Sequence, residues 1–170
     1  MKKIFITGVS GTGKTTLSNL LTERGFNTID VDHVQDLCAW VKKETSKKAF
    51  IPHPDNKFID EHEYKCNMSI LKNLMSEFND HVLVFGSVGD NNDFIPLFDV
   101  LVLLQCKPET IMHRLQTRDT NVFGKVKEVQ NRILEWRNKF DEIMLKAGAI
   151  PISTEEDIDA VAAKVTRLLE

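Results

Sequence analysis

A three-layer α/β fold around a parallel sheet is predicted by three features of the sequence. Residues 82–85 and 98–104 are near-continuous apolar runs, as expected of strands covered on both faces. Short β-branched or aromatic runs alternate with segments of helical periodicity, the pattern of a sheet sandwiched between helices. A glycine-rich loop, residues 8–13, joins the first such run to the first such helix.

The elements follow in order. Ile4-Phe5-Ile6 predicts the first strand, and Leu17, Leu20 and Leu21 predict a helix that Gly25 terminates. Residues 26–31 read as a second strand. Residues 33–80 read as mostly helical, with Leu71, Leu74, Met75 and Phe78 on one face. After the two apolar strands, Pro108 suits the first turn of a helix carrying Ile111, Met112 and Leu115. A longer helix places Val129, Ile133, Trp136, Phe140 and Ile143 on one stripe, with Trp136 and Phe140 expected in the core, and Gly148 ends it. Residues 149–152 predict a last strand, and Thr154 with Asp157 a capping box for a final helix. No repeat or long linker divides the chain, so residues 1–170 are expected to form one domain.

The 170 residues include 22 Lys+Arg and 25 Asp+Glu, a net charge of −3. That mild acidity excludes a general nucleic-acid binder. The longest apolar stretch, residues 100–104, is far short of the roughly 20 that span a bilayer. Cys38, Cys66 and Cys106 are odd in number and widely spaced, so neither a disulfide framework nor a zinc site is expected, and a reducing cytoplasm fits best. The five histidines have no metal-ligand spacing. Lys42, Lys43, Lys47 and Lys48 read as a solvated face.

Gly8-Val9-Ser10-Gly11-Thr12-Gly13-Lys14-Thr15 matches G-x-x-x-x-G-K-[ST] between a strand and a helix, the context the motif requires. Glycines let the loop wrap an oxyanion, its N–H groups point inward, and the helix adds its positive end. Lys14 is expected to reach the β- and γ-phosphates, and the Thr15 hydroxyl to coordinate Mg²⁺. ATP and Mg²⁺ are the expected cofactors.

Asn138-Lys-Phe-Asp141 matches the N-K-x-D guanine-recognition tetrapeptide, but it lies inside a helical stripe rather than after a strand, and no D-x-x-G occurs. A GTPase is therefore disfavoured. Gly86 stands where a mechanical ATPase would carry an acidic residue.

Over essentially its whole length the chain resembles the small P-loop kinases of the shikimate, gluconate and nucleoside monophosphate kinase type. The resemblance rests on residues 8–16, on Asp30-Val-Asp32 closing the second strand, on Arg114 and Arg118 followed by Asn121-Val-Phe-Gly124-Lys125, and on Ile152-Ser153-Thr154. It implies strand order 2-3-1-4-5, a lid at about 117–127 and an acceptor-binding region at about 33–80. It also implies nucleotide contacts from Thr16, Ser153 and Thr154, magnesium on Asp30 and the acceptor on Asp32.

Alternation along an extended segment would turn Asp30 and Asp32 to the same side, at the carboxyl end of a strand where ligands collect. The alternative is that one or both cap a helix starting near His33. Arg114 and Arg118, four apart, would share a helix face and fork onto phosphate oxygens, or else solvate the helix, Arg114 pairing with Glu109. Lys125 reads equally as a phosphate contact or surface charge. Gly86, Asp90 and Asn92, leaving the third strand, are candidates for the acceptor pocket, or for a plain turn.

These readings converge on a kinase moving the γ-phosphoryl group of ATP to a small hydroxyl- or phosphate-bearing molecule such as a nucleoside, nucleotide or sugar-like metabolite. Lys14, Asp32 and Arg118 would be its catalytic residues. Residues 33–80 contain no arginine, which favours an uncharged acceptor or one held by Lys42, Lys57 or Lys65. The alternative is a nucleotide-binding regulator or partner-dependent ATPase on the same scaffold. A monomer or homodimer without nucleic-acid or membrane partners is expected.

Overall fold

The computed structural model describes residues 1–51, 53–87, 93–119 and 122–170. Its main sheet has five parallel strands in the order β2-β6-β1-β7-β8: β1 (Lys3–Thr7), β2 (Thr28–Asp30), β6 (Val82–Phe85), β7 (Val100–Gln105) and β8 (Ile150–Ser153). Counting these strands alone, the order is the expected 2-3-1-4-5. β1 lies in the middle, with Phe5 opposite Val84 on one side and Leu101 on the other.

Alternation along the central strands divides the core into two layers. Ile4, Ile6, Leu83, Phe85, Val102 and Leu104 pack with Leu17 and Leu21 of α1 (Lys14–Glu23) and with Val161 and Val165 of α6 (Ile158–Thr166). Phe5, Val82, Val84, Leu101 and Leu103 face the other way. They meet Leu71 and Met75 of α3 (Met68–Ser76), Ile111 and Leu115 of α4 (Pro108–Thr117) and the Val129-Ile133-Phe140-Met144 stripe of α5 (Lys127–Lys146). Gly25 and Gly148 terminate α1 and α5 as expected, with φ of 83° and 89°.

Residues 33–80 depart from the helical expectation. A turn follows β2, and then β3 (Cys38–Lys42) pairs antiparallel with β4 (Lys48–Ala49) and β5 (His62–Cys66), around a short α2 (Asn56–Glu61). Only α3 keeps the helical pattern, capped by Asn67, whose side chain accepts from Ser69 and Ile70 N–H. No helix begins at His33, so Asp30 and Asp32 cap none.

Three smaller expectations are also corrected. The α6 cap is Asp157, accepting from Asp159 N–H, whereas Thr154 is engaged elsewhere. Trp136 leans on Phe140 with its ring tilted by 42° but stays 40% exposed, so only Phe140 is core. Cys38 and Cys66 face each other across β3 and β5, Cα atoms 4.0 Å apart, and are joined in a disulfide, leaving Cys106 as the buried free thiol. Among the described residues no helix is long and apolar enough to cross a membrane.

Candidate active site

The phosphate-binding loop runs from the end of β1 to the start of α1 through positive φ at Gly8, Gly11 and Gly13. At Gly8 glycine is required on two counts, since φ is 154° and a Cβ would lie 2.6 Å from Thr12 Oγ1 and 2.7 Å from the Leu104 carbonyl. Thr12 fastens the curve by donating its hydroxyl to Val9 O at 2.9 Å.

Lys14 folds back over this loop. Its ammonium is buried and donates to Gly8 O at 2.7 Å and Val9 O at 3.1 Å, so loop carbonyls occupy the donors a phosphate would use. Burial pulls its pKa down to about 8, while Asp32 and Asp30 oppose the fall and Arg118 adds to it. Ser87, just past β6, donates its hydroxyl to the same Gly8 carbonyl at 2.5 Å.

β2 ends at Asp30 and Asp32 lies in the following turn, so strand alternation does not place Asp32; the turn does. Asp30 Oδ1 accepts from Asp32 N–H at 3.1 Å. Asp30 Oδ2 is buried and makes no hydrogen bond among the described residues, with His33 Nδ1 3.2 Å away. A buried carboxylate oxygen with unused lone pairs, together with the Thr15 hydroxyl at the start of α1, fits Mg²⁺, which takes few protein ligands and keeps several waters. Among the described residues no cluster of three His, Cys, Asp or Glu forms a separate metal site. Asp32 accepts from the Tyr64 phenol at 2.7 Å. Burial, then the two aspartates, pushes the Tyr64 hydroxyl well above its ordinary pKa, so it stays a donor.

The two arginines diverge rather than sharing a face. Arg118 follows the last turn of α4 and donates to Ser10 Oγ at 3.0 Å and to Phe123 O, leaving its buried Nε without a hydrogen-bond partner among the described residues. Burial lowers its pKa, and Asp32 opposes that. Arg114 instead braces the scaffold, donating to Thr154 O at 2.8 Å and Thr154 Oγ1 at 3.1 Å, with Gly11 O 3.5 Å away. It does not pair with Glu109. Ser153 ends β8 exposed, Thr154 is buried, and Lys125 donates to Gln116 O and Arg118 O. Thr16 is exposed.

Gly86 is packed so tightly that a Cβ would overlap Val31 Cγ2. Asp90 and Asn92 lie outside the described residues.

A cleft of about 990 Å³ opens from Ser10, Lys14 and Asp32 towards the small antiparallel sheet and α5. Trp40 stands opposite Tyr64 in the β3–β5 register, with ring centroids 5.4 Å apart, and lies 5.9 Å from Phe123. The sequence reading missed Trp40, Tyr64 and Ser87. The signal was the alternation of His62-Glu-Tyr-Lys-Cys66, as strands alternate, beside the short apolar run Cys38-Ala-Trp-Val41.

A five-stranded parallel sheet with this loop after its central strand, an acidic turn after the edge strand β2 and an arginine returning over the loop defines a P-loop nucleotide-binding enzyme. Comparison with known proteins narrows the class. The AAA domain family profile matches residues 4–143. A putative adenylate kinase of Methanocaldococcus jannaschii is 30% identical over 97% of this chain and 89% of its own length. The shikimate kinase of Chlorobaculum tepidum is 27% identical over 98% and 90%. Among solved structures, shikimate kinase from Acinetobacter baumannii in complex with shikimate superimposes with a TM-score of 0.60 at 20% identity, covering 99% of this chain and 92% of that one. The chain belongs to the AAA domain family and, within it, to the P-loop kinases, and is a phosphotransferase.

Proposed function

We propose that the chain is an ATP- and Mg²⁺-dependent kinase that transfers the γ-phosphoryl group to the hydroxyl of a small acceptor. The whole chain acts as one unit, with residues 33–80 supplying the acceptor site and residues 117–127 the lid. The observation that carries this is the convergence of Lys14, Asp32 and Arg118 on one loop from three different elements.

The amides of residues 8–13 cradle the triphosphate, and Lys14 exchanges the Gly8 and Val9 carbonyls for phosphate oxygens. Thr15 and Asp30 hold Mg²⁺, which when bound neutralises phosphate charge. Asp32, one oxygen held by Tyr64, takes the acceptor's proton with the other. The bond from acceptor oxygen to γ-phosphorus then forms as the bond from that phosphorus to the β–γ bridging oxygen breaks. Arg118 faces the charge redistributed over the transferring group, and its unpaired Nε is one donor for it. Thr16, Ser153 and Thr154 border the nucleotide, Arg114 positions the loop beneath it, and Gly86 borders the acceptor. A carboxylate aligned by a phenol at the mouth of a roomy cleft favours transfer over the nucleotide-binding regulator.

Asp32→Asn should lower kcat by about 10²- to 10⁴-fold, the range for loss of a positioned base, while ATP still binds. Turnover equal to wild type in Asp32→Asn would refute the assignment.

A further inference from the structure

The acceptor cleft has a composition that specifies what enters it. Trp40, Tyr64, Phe123 and Trp136 line it together, so both tryptophans and the only tyrosine of the chain meet there. Of the seven large apolar side chains exposed among the described residues, three, Phe50 (88%), Val122 (43%) and Trp136 (40%), lie on the wall of this cleft. Apolar surface concentrated at a concave site marks ligand contact rather than random exposure.

The charges of the cleft point the same way. Lys48 pairs with Asp36 at 2.5 Å, Lys65 with Glu63 at 2.8 Å and Arg132 with Asp60 at 2.7 Å, while Lys43 donates to the Asp60 carbonyl at 2.7 Å. Each lysine or arginine of the wall other than Lys14 is thus already engaged. Three of these four cations stand beside a carboxylate that would repel an anionic acceptor, and among the described residues the one arginine on the wall, Arg132, is held by Asp60. Of the lysines considered for holding an anion, Lys42 and Lys57 lie off the cleft wall, and Lys65 is paired.

We infer that the acceptor is an uncharged alcohol carrying a planar ring, the chemistry of a nucleoside. Its ring packs among Trp40, Tyr64 and Phe123, and its hydroxyl reaches Asp32. Trp40 is the specificity residue, because its ring contacts both Tyr64, which holds the acceptor base, and Phe123, whose carbonyl holds Arg118. Seating a ring against Trp40 therefore touches both sides of the transfer site. This inference rests on the kinase reading above.

The test uses the full chain with ATP and magnesium. Adenosine, guanosine, cytidine and uridine are compared with shikimate, gluconate and AMP, following ADP release, and ATP binding is measured separately by calorimetry. A nucleoside should raise ADP release while the three anions do not. Tryptophan emission excited at 295 nm should change saturably with that nucleoside, a readout needing no variant. Trp40→Ala should raise the nucleoside KM by about tenfold or more, the scale of one base–aromatic stack, with ATP affinity unchanged, and Trp40→Phe should recover most of it.

Stimulation by an anion in preference to every nucleoside overturns the inference, as does ATP binding without stimulation or emission change from any nucleoside. Failure to bind ATP at all would instead remove the kinase reading beneath it.

Discussion

Lys14 holds its charge nearly buried at the foot of the cleft, and that has a consequence for nucleotide affinity. Burial brings its pKa to about 8, so above that pH the free enzyme loses the proton that a triphosphate needs to find there. Affinity for ATP should therefore be steady on this account below pH 8 and weaken above it, by up to about tenfold per pH unit. Calorimetry from pH 7 to 9.5 reads this directly. Lys14→Arg, which stays charged throughout, should bind more weakly at pH 7 but without the alkaline decline. An equal decline in both proteins would assign it to another group. Lys14, Asp30 and Asp32 were legible in the sequence because their chemistry is set by short spacing after a strand. Tyr64 was not: its partner Asp32 is 32 residues away, and only the β3–β5 pairing brings the phenol to it. Arg114 and Arg118 were found as a pair, but the end of α4 falls between them, so one turns to the scaffold and the other to the loop.

At the level of elements, the turn after β2 and the end of β6 are locked by Gly86 against Val31. Val31 is 1% exposed and stiff at χ1, and it sits between Asp30 and Asp32. Gly86→Ala should cost about 1–3 kcal/mol, the usual penalty for overpacking, and lower kcat by moving the carboxylates. Denaturant unfolding measures the first and ADP release the second; wild-type values of both would show that Val31 yields freely. The small antiparallel sheet has its own fastening in the Cys38–Cys66 disulfide, which closes a separation of 28 residues. Its reduction should lower stability by about 2–4 kcal/mol on the loop-entropy scale, and Cys38→Ser should match that loss and become insensitive to reductant. The five parallel strands were legible since most are buried on both faces and read as unbroken apolar runs. β3 and β5 were hidden because they are short and half-exposed: β3 is a four-residue apolar run ending in Lys42, and in β5 Glu63 and Lys65 flank Tyr64. Such charged, interrupted runs resemble a solvated helix face when periodicity is weighed over a longer window.

Across the whole molecule, the parallel sheet brings the carboxyl ends of β1, β2 and β6 to one edge, so a ligand bound there ties together residues from Gly8 to Ser87. Ligand present at about 100 times Kd adds about 2.7 kcal/mol, which for a chain of this length corresponds to about 5–10 °C in Tm. ATP with magnesium should produce that shift. Lys14→Met should abolish it, yet the unliganded variant should not melt lower than wild type by the loss of a charge. The reason is the sign of the lysine's pKa change. Its folded value lies below the ordinary 10.5, so the buried ammonium opposes folding fully below about pH 8. That opposition is relieved as pH rises from 8 towards 10.5, where the unfolded chain retains the proton the folded one has lost. Wild type should accordingly gain stability relative to Lys14→Met over that interval, in denaturant melts without nucleotide. A constant difference between the two proteins from pH 7 to 10.5 would mean that the two carbonyl hydrogen bonds hold the ammonium as well as water does, and the loop would then be a settled structural contact rather than a charge held ready for phosphate.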